Sequence, residues 1–331
     1  MSILVTGGAG YIGSQVVKQL NESGFATLTY DSLKKGHREA VLAIDFILGD
    51  VMDTPRLSQV FKENQIEAVM HFAADSLVGE SVKNPLAYFE NNVAGTINLL
   101  KTMINFGVGK FIFSSTAAVY GEPKQIPIME DDPAIPTNPY GESKLMIERI
   151  LARCNEAYGL KYISLRYFNA AGADRSGKIG EDHHPETHLI PLILQVALGQ
   201  REAIKIFGTD YPTQDGTCIR DYIHVVDLAK AHILALKALM AGKPGDIYNL
   251  GNGEGHSVKE VIEVARRVTG HKIPAIETGR RPGDPVVLVA SSTKAINELD
   301  WKPELADLET IMTTAWQWHK NHPEGYSALP V

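Results

Sequence analysis

The sequence predicts an α/β protein in which a doubly wound parallel sheet is followed by a smaller, loop-rich C-terminal lobe. Short runs of strand-forming residues alternate with longer helix-like stretches up to residue 168. Because strand–helix–strand crossovers are right-handed, such strands should be parallel and covered on both faces. Beyond that point Gly, Pro and Asp accumulate in segments 172–188, 207–219 and 274–286, which indicates irregular backbone.

The alternation places each element along the chain. The predicted strands are 3–6, 25–30, 46–48, 68–72, 111–115, 162–168 and 247–250, and the predicted helices are 11–22, 54–63, 85–106, 139–157, 226–239 and 257–269. We therefore expect a dinucleotide-binding domain over 1–168, to which 218–250 return, and a substrate-binding lobe over 169–217 and 251–331.

Composition excludes several classes of protein. A chain of 331 residues with 44% apolar and 21% charged residues has the balance of a globular protein. Its net charge of −7 gives no general attraction to nucleic acid or anionic membranes. Two cysteines far apart suggest neither a disulfide framework nor a zinc site. With no signal peptide and no apolar run of about 20 residues, we expect a cytoplasmic protein.

The first predicted strand runs into TGGAGYIGS, which carries the spacing of a dinucleotide-binding turn. Gly8, Gly10 and Gly13 match G-x-G-x-x-G, and Gly7 extends the pattern. Glycine lets the backbone approach a pyrophosphate, which the free N–H groups at the start of the next helix then bind. A strand before and a helix after favour a Rossmann-type site over a tight turn without a ligand.

Two aspartates end the next two strands. Asp31 follows Gly13 by 18 residues, where a carboxylate accepts the ribose hydroxyls of NAD and repels the additional phosphate of NADP. Asp50 ends the third strand and would lie beside the adenine, although a turn aspartate is an equally good interpretation. The predicted cofactor is therefore NAD.

The stretch YGESK places Tyr140 and Lys144 four residues apart, on one face of a helix. They could be two solvated side chains, or a lysine that lowers the pKa of a tyrosine. Lowering that pKa from near 10 to near 7 requires about 4 kcal/mol of preferential phenolate stabilisation. A buried lysine cation and the positive nicotinamide ring could supply it together. The pair by itself does not decide between these interpretations.

With TGGAGYIG, SSTAAVYG and NPYGESK, the sequence resembles the extended short-chain dehydrogenase/reductase family. The later motifs RYFN, GTDYPTQDGTCIRDYIHVVDL and RRPGD are similar to those of its nucleotide-sugar 4-epimerases. The resemblance implies reversible inversion at C4 of UDP-glucose and UDP-galactose, by transient hydride transfer to bound NAD through a 4-keto intermediate. It also implies a homodimer in which helices 85–106 and 139–157 pair into a four-helix bundle.

The resemblance assigns roles to individual residues. It makes Tyr140, Lys144 and Thr116 catalytic. It assigns the cofactor to Gly7, Gly10, Tyr11, Ile12, Gly13, Asp31, Asp50, Val51, Phe72, Ala73, Ala74, Asn91, Ser114, Tyr140, Lys144 and Tyr167. It assigns the UDP-sugar to Thr116, Tyr140, Asn169, His188, Leu189, Arg220, Arg281, Asp284 and Leu288.

Two positions bear on the substrate and the reaction. Ala117 and Ala118 follow Thr116 where related dehydratases carry an Asp-Glu pair, so no acid is placed there to eliminate water. Leu288 falls on the family's gate position, where tyrosine restricts the pocket to UDP-hexoses, and predicts partial tolerance of UDP-N-acetylglucosamine. The alternatives are a 4-epimerase of another UDP sugar, such as an N-acetylhexosamine or a pentose, and a non-catalytic NAD-binding sensor, which would not need the catalytic residues.

The stretch EDHHPETH contains residue types that bind metal ions. His184 and His188 are four apart, as on one helix face, with acidic residues close by. Pro185 between them disfavours a helix, and no third well-spaced ligand is evident. We therefore expect no metal, and a loop lining the substrate entrance.

Overall fold

The structure, a computed structural model, describes residues 1–42, 45–281 and 283–326. Pro282 of the RPGD motif and the last five residues of the predicted lobe lie outside this range. The strands are β1 (Ser2–Thr6), β2 (Thr27–Asp31), β3 (Phe46–Leu48), β4 (Ile66–His71), β5 (Lys110–Thr116), β6 (Lys161–Tyr167), β7 (Asn169–Ala171), β8 (Ile204–Phe207), β9 (Ile219–His224), β10 (Asp246–Leu250), β11 (Gly255–Ser257), β12 (Ala275–Thr278) and β13 (Val287–Leu288).

Helices connect these strands. They are α1 (Tyr11–Glu22), α2 (Thr54–Glu63), α3 (Val78–Lys83), α4 (Pro85–Tyr88), α5 (Gly95–Asn105), α6 (Pro139–Tyr158), α7 (Leu189–Ala197), α8 (Val225–Met240), α9 (Val258–Thr269), α10 (Thr293–Leu299) and α11 (Leu308–Asn321). No helix of the described ranges is long and apolar enough to cross a membrane.

The main sheet has seven strands within the described residues, in the order β3-β2-β1-β4-β5-β6-β10, and every pair is parallel. From β1 the chain winds outwards first through β2 and β3, then returns to β4 and continues to the opposite edge. This is the doubly wound α/β sheet that the alternating pattern predicted. Strand β10 comes from late in the sequence and pairs with β6, with Leu250 opposite Tyr167.

Apolar side chains cover both faces of this sheet. On one face Val16 and Leu20 of α1 pack with Leu228 and Leu236 of α8. The other face carries a second cluster that is contributed by α2, α5 and α6. A parallel sheet buried on both sides explains why its strands are almost continuously apolar.

The remaining strands form two smaller sheets beside the carboxyl ends of the main one. Strand β9 pairs with β7, β11 and β13, and β8 pairs with β12. Helices α7, α9 and α11 pack on one another in a third apolar cluster. The strand β12 lies inside segment 274–286, so the expectation of irregular backbone there was wrong for Ala275–Thr278. Its parallel pairing with β8 stabilises it.

The predicted helix 85–106 is interrupted in its backbone pattern. Helices α4 and α5 are joined by a stretch of wider, π-helical turns over Phe89–Ala94. Such turns often occur at functional positions. Here they bring Asn92 into the interior, where its amide bonds both the N–H and the carbonyl oxygen of Asp75.

Candidate active site

A cavity of about 910 Å³ opens along the carboxyl ends of the parallel strands. It lies where the strand order reverses between β1 and β4, the position at which open α/β sheets bind their ligands. The cavity runs from the glycine-rich turn after β1 to the start of α6. Its wall includes residues predicted to bind the cofactor and residues predicted to bind the UDP-sugar.

The glycine-rich turn is packed too tightly for side chains at two positions. Gly7 has φ +75°, and a Cβ there would lie 2.4 Å from the amide nitrogen of Ala73. A Cβ on Gly13 would lie 2.2 Å from the carbonyl oxygen of Gly7. Gly10 precedes α1 without a side-chain cap, so the first N–H groups of the helix face the cavity wall unblocked. The turn can therefore hold an anionic pyrophosphate.

Asp31 is held rigidly at the end of β2. Its Oδ2 accepts a 2.9 Å hydrogen bond from the N–H of Ala9, and its Oδ1 accepts one of 2.8 Å from the N–H of Leu33. Burial raises the pKa of this carboxyl, and the backbone bonds oppose that rise. Its oxygens keep lone pairs for ribose hydroxyls, as predicted for an NAD site.

Asp50 takes part in an ion pair at the neighbouring strand end. Its Oδ2 lies 2.7 Å from Nζ of Lys34, and its Oδ1 accepts a bond from the N–H of Met52. Burial would raise its pKa, but these bonds hold it below the usual value. The pair lies on the wall of the same cavity.

Tyr140, Lys144 and Thr116 come together at the other end of the cavity. Asn138 caps α6 by accepting a bond from the N–H of Gly141, so Tyr140 lies in the first helical turn. Nζ of Lys144 lies 5.9 Å from the centre of the Tyr140 ring. The Thr116 side chain, at the end of β5, acts on Tyr140 by lowering the pKa of its hydroxyl. All three residues line the cavity, which favours the catalytic interpretation of the tyrosine–lysine pair over a solvated helix face.

Burial dominates the titration of this group in the protein alone. It raises the pKa of Tyr140 to about 12, against the lowering effect of Thr116. It lowers the pKa of Lys144 to about 7, against the raising effect of Glu148. The lysine and the nicotinamide ring are expected to lower the pKa of the tyrosine together, and in the protein alone desolvation prevails. A phenolate at neutral pH therefore requires further positive charge in the cavity.

A buried ion pair between Glu148 and Arg166 lies one helical turn after Lys144. Both carboxylate oxygens of Glu148 accept bonds from Arg166 of β6, at 2.9 and 2.6 Å. The hydroxyl of Ser115 donates to the same carboxylate at 2.5 Å, and Arg166 also bonds the Tyr120 hydroxyl. Glu148 follows Lys144 by one helical turn, so this network fixes the helix face that carries the lysine.

The structure brings most predicted site residues to one surface. The predicted residues that line the cavity are Gly7, Gly10, Tyr11, Ile12, Gly13, Asp31, Asp50, Val51, Phe72, Ala73, Ala74, Asn91, Ser114, Thr116, Tyr140, Lys144, Tyr167, Asn169 and His188. Five others are not part of that wall as far as the described residues show it: Leu189, Arg220, Arg281, Asp284 and Leu288.

Those five lie on the adjoining lobe. Arg220 of β9 forms an ion pair with Asp284 and donates a 2.7 Å bond to the carbonyl oxygen of Ile219. The guanidinium of Arg281 stacks 4.5 Å from the centre of the Phe207 ring. Leu288 lies opposite Arg220 in the β9–β13 pairing. The two motifs that supply the arginines are thus neighbours in space although distant in sequence.

One ionisable group includes a histidine that was not predicted, and three of its four members line the cavity. Glu181, His183, Glu186 and His188 place one ligand-type atom each within 4.8 Å of one another. The two carboxylates raise the pKa of both imidazoles above the usual value, against burial. The helical spacing had drawn attention to His184 instead. The segment is a loop, so its side chains meet at other spacings, and the local sequence carried no signal for that.

The chain is similar to known proteins over nearly its whole length. A model of the NAD dependent epimerase/dehydratase family matches residues 3–251. The chain is 60% identical over 327 residues to the UDP-glucose 4-epimerase of Halalkalibacterium halodurans, covering 99% of this chain and 98% of that one. It is similar to a crystal structure of a UDP-glucose 4-epimerase with 55% identity and a TM-score of 0.97, over 99% of this chain and 100% of that one. The enzyme of Bifidobacterium longum, solved with NAD+ and UDP, gives 40% identity and a TM-score of 0.94, over 98% and 100% of the two chains.

Proposed function

The chain belongs to the NAD dependent epimerase/dehydratase family, and from this premise we propose that it interconverts UDP-glucose and UDP-galactose by inverting C4 of the sugar. The observation that carries this proposal is the meeting of Thr116, Tyr140 and Lys144 in the cavity that also contains the glycine-rich turn. A non-catalytic NAD-binding protein would not need that constellation.

The residues of the turn fit NAD. Gly7 and Gly13 leave no room for side chains, the start of α1 offers N–H groups, and Asp31 is oriented for a ribose. NAD held there would supply the acceptance of a hydride from C4 and its return, so that the reaction would have no net redox change. Its positive ring is also the further charge that a Tyr140 phenolate requires.

The protein's own groups then handle the proton. Tyr140 as phenolate accepts the proton of the sugar 4-OH and returns it when the keto group is reduced again. Thr116, which lowers the pKa of Tyr140, would share this proton between the sugar oxygen and the tyrosine. Lys144 stabilises the phenolate by its charge. Ala117 and Ala118 line the cavity beside Thr116 where an acid would be needed to eliminate water. The reaction thus stops at oxidation and re-reduction.

The adjoining lobe would hold the UDP. We assign the diphosphate and uridine to Asn169, His188, Leu189, Arg220 and Arg281, and a ribose hydroxyl of the uridine to Asp284. Arg220 has five N–H groups, and its two observed bonds use only part of them. The planar guanidinium can therefore bond a phosphate while it remains paired with Asp284.

Incubation of the purified protein with UDP-galactose, without added NAD, tests this function. We expect UDP-glucose to form. Tyr140→Phe should lower the rate by about 10²–10⁴-fold, while Tyr158→Phe, an exposed tyrosine on the same helix, should not change it. Equal rates in wild type and Tyr140→Phe, or no product even with added NAD, would contradict the proposal.

A second activity, the epimerisation of UDP-N-acetylglucosamine, is favoured by Leu288. Its side chain is half-buried against the apolar cluster of Ala117 and Phe168, and it is smaller than a tyrosine. We expect measurable but slower turnover of the N-acetylated sugar. Leu288→Tyr should suppress that turnover by about 10-fold or more and spare UDP-galactose. Absence of any turnover of UDP-N-acetylglucosamine by the wild type would remove the idea.

We also propose a homodimer. Helices α3, α4 and α6 pack on one another and expose Val82 (62%), Leu86 (77%) and Met146 (40%). Neighbouring exposed apolar residues are typical of a protein interface. Light scattering after size exclusion should give twice the 36.2 kDa of the chain, and Leu86→Glu should weaken the dimer. A monomeric wild type at micromolar concentration would exclude it.

We also propose how the chain divides into two domains and that the protein is cytoplasmic. The return of 218–250 to the dinucleotide-binding domain 1–168 is supported by β10, which extends the main sheet, and by the packing of α8 on α1. The segments 169–217 and 251–331 would then form the UDP-sugar lobe. Cys154 and Cys218 are free thiols, as expected in a reducing cytoplasm.

A further inference from the structure

The loop before α7 carries two histidines and two glutamates whose coordinating atoms face one another. Nδ1 of His183 lies 3.3 Å from a carboxylate oxygen of Glu181 and 3.5 Å from one of Glu186. Nδ1 of His188 lies 3.0 and 2.8 Å from oxygens of the same two residues. Four ligands bonded to one zinc ion at about 2.0 Å would lie about 3.3 Å apart. These four nitrogen–oxygen distances bracket that value, and one ligand-type atom from each residue lies within 4.8 Å of the others.

The environment of these atoms also suits a cation. The side chains of Glu181 and Glu186 are only 6% and 5% exposed, so two carboxylates are buried side by side. Buried carboxylates require compensating positive charge. Nδ1 of His183 is buried between them and, among the described residues, hydrogen-bonds to neither. That nitrogen is therefore positioned to bind a cation in exchange for its proton.

The surrounding backbone orients the ligands. Oε1 of Glu186 accepts hydrogen bonds from the N–H groups of Thr187 (2.6 Å) and His188 (2.7 Å). Such bonds hold a ligating carboxylate in place and strengthen metal binding. His188 is the N-cap residue of α7, but its side chain makes no capping hydrogen bond. The imidazole is therefore available to bind an ion.

From this geometry we propose that Glu181, His183, Glu186 and His188 form a binding site for one divalent transition-metal ion of the zinc class. Mixed imidazole and carboxylate ligands favour zinc over calcium or magnesium. The ion anchors the loop at the wall of the catalytic cavity and at the start of α7. This site is separate from the proton-handling group at Tyr140, and it replaces our expectation from the sequence that the loop binds no metal.

The test uses the full-length protein, stripped of metal with dipicolinate and titrated with Zn²⁺ by calorimetry. We expect one ion per chain in the wild type, and affinity at least 10-fold weaker in His183→Ala. Glu186→Gln, which keeps the shape of the side chain, should weaken binding in the same way. His184→Ala is the matched control, since His184 lies in the same loop, is 78% exposed, and is not part of the group.

Two further readouts are independent of enzyme activity. Zn²⁺ should raise the thermal unfolding midpoint of the wild type and of His184→Ala, but not that of His183→Ala. X-ray absorption at the zinc edge should show two nitrogen and two oxygen ligands near 2.0–2.1 Å. Failure of the wild type to bind Zn²⁺, or equal weakening by His183→Ala and His184→Ala, would overturn the proposal.

Discussion

Nζ of Lys144 donates a 2.8 Å hydrogen bond to the carbonyl oxygen of Ser114, which fixes this buried amino group at the carboxyl end of β5. Lys144 is only 2% exposed, and the aromatic ring of Phe113 lies 4.9 Å from its Nζ. The lysine is therefore positioned by backbone and core, and not by the ligands it serves. This arrangement makes its charge available to Tyr140 without conformational adjustment.

Removal of the amino group of Lys144 should shift the pH dependence of the reaction. In Lys144→Met the phenolate of Tyr140 loses a stabilising cation, so its pKa in the loaded enzyme rises and the acid limb of the pH–rate profile moves to higher pH. We expect a rate loss of about 10²-fold at pH 7 that is partly recovered at pH 9. The measurement is kcat/KM for UDP-galactose from pH 6 to 10. Lys62→Met, at an exposed position of α2, is the control; an unshifted acid limb in Lys144→Met would contradict this role.

Breaking the Glu148–Arg166 pair should destabilise the fold strongly. Both side chains are at most 5% exposed, and Glu148→Ala leaves a buried guanidinium without its carboxylate. We expect the free energy of unfolding to fall by about 3–5 kcal/mol, measured by urea denaturation. Glu156→Ala removes an exposed pair with Arg153 on the same helix and should change it by less than about 1 kcal/mol. Similar effects of the two substitutions would show that burial of the pair does not matter.

A methyl group at Gly13 should disturb the glycine-rich turn. The added Cβ would lie 2.2 Å from the carbonyl oxygen of Gly7, so the start of α1 must move away from the turn. We expect Gly13→Ala to lose most of its bound NAD and about 1–3 kcal/mol of stability. NAD released on denaturation is measured enzymatically. Gly109→Ala, where a Cβ meets no atom within 4 Å, should keep a wild-type NAD content. Full NAD content in Gly13→Ala would show that the turn tolerates the shift.

Buried histidines should make the protein less stable in mild acid. Burial lowers the pKa of His232 to about 4 and that of His71 to about 3, whereas an unfolded chain has about 6.5. Between these values the unfolded state binds more protons, so this stabilisation is present above pH 6.5 and is lost as the pH falls towards 4. Each histidine should contribute a loss of about 2 kcal/mol between pH 7 and 5.

Denaturation at several pH values measures this slope. His232→Met should flatten it, whereas His271→Met, at an exposed position, should leave it unchanged. A slope unaffected by His232→Met would mean that this imidazole does not stay neutral in the folded protein.

Local patterns were sufficient for the N-terminal elements. Helices α1 and α2 begin and end where the sequence predicted, because a glycine turn marks the first and Asp53 with Pro55 marks the start of the second. Helix α7 was missed. Its nine residues are almost all apolar and include Pro191, so the sequence does not distinguish it from a buried strand. Proline is tolerated there because it lies in the first helical turn.

The site was predictable in its motifs but not in its electrostatics or long-range pairs. The tyrosine–lysine spacing placed two residues correctly on one helix face. The extent of their burial, which raises the pKa of Tyr140, depends on elements far away in the chain. The pairing of Arg220 with Asp284 joins residues 64 positions apart. Contacts of this kind follow from the tertiary fold and leave no periodic signal in the sequence.

Strand β10 is synthesised long after β6, the strand with which it pairs at the edge of the main sheet, and this has a consequence for biosynthesis. Strand β6 ends at Tyr167, and its outer neighbour begins only at Asp246. A ribosome adds about 5–20 residues per second, so the nascent chain carries an uncovered edge strand for about 4–16 seconds. Exposed edges of this kind invite pairing with other chains. Newly made molecules should therefore depend on chaperones most strongly during this interval, and fragments that stop before β10 should aggregate.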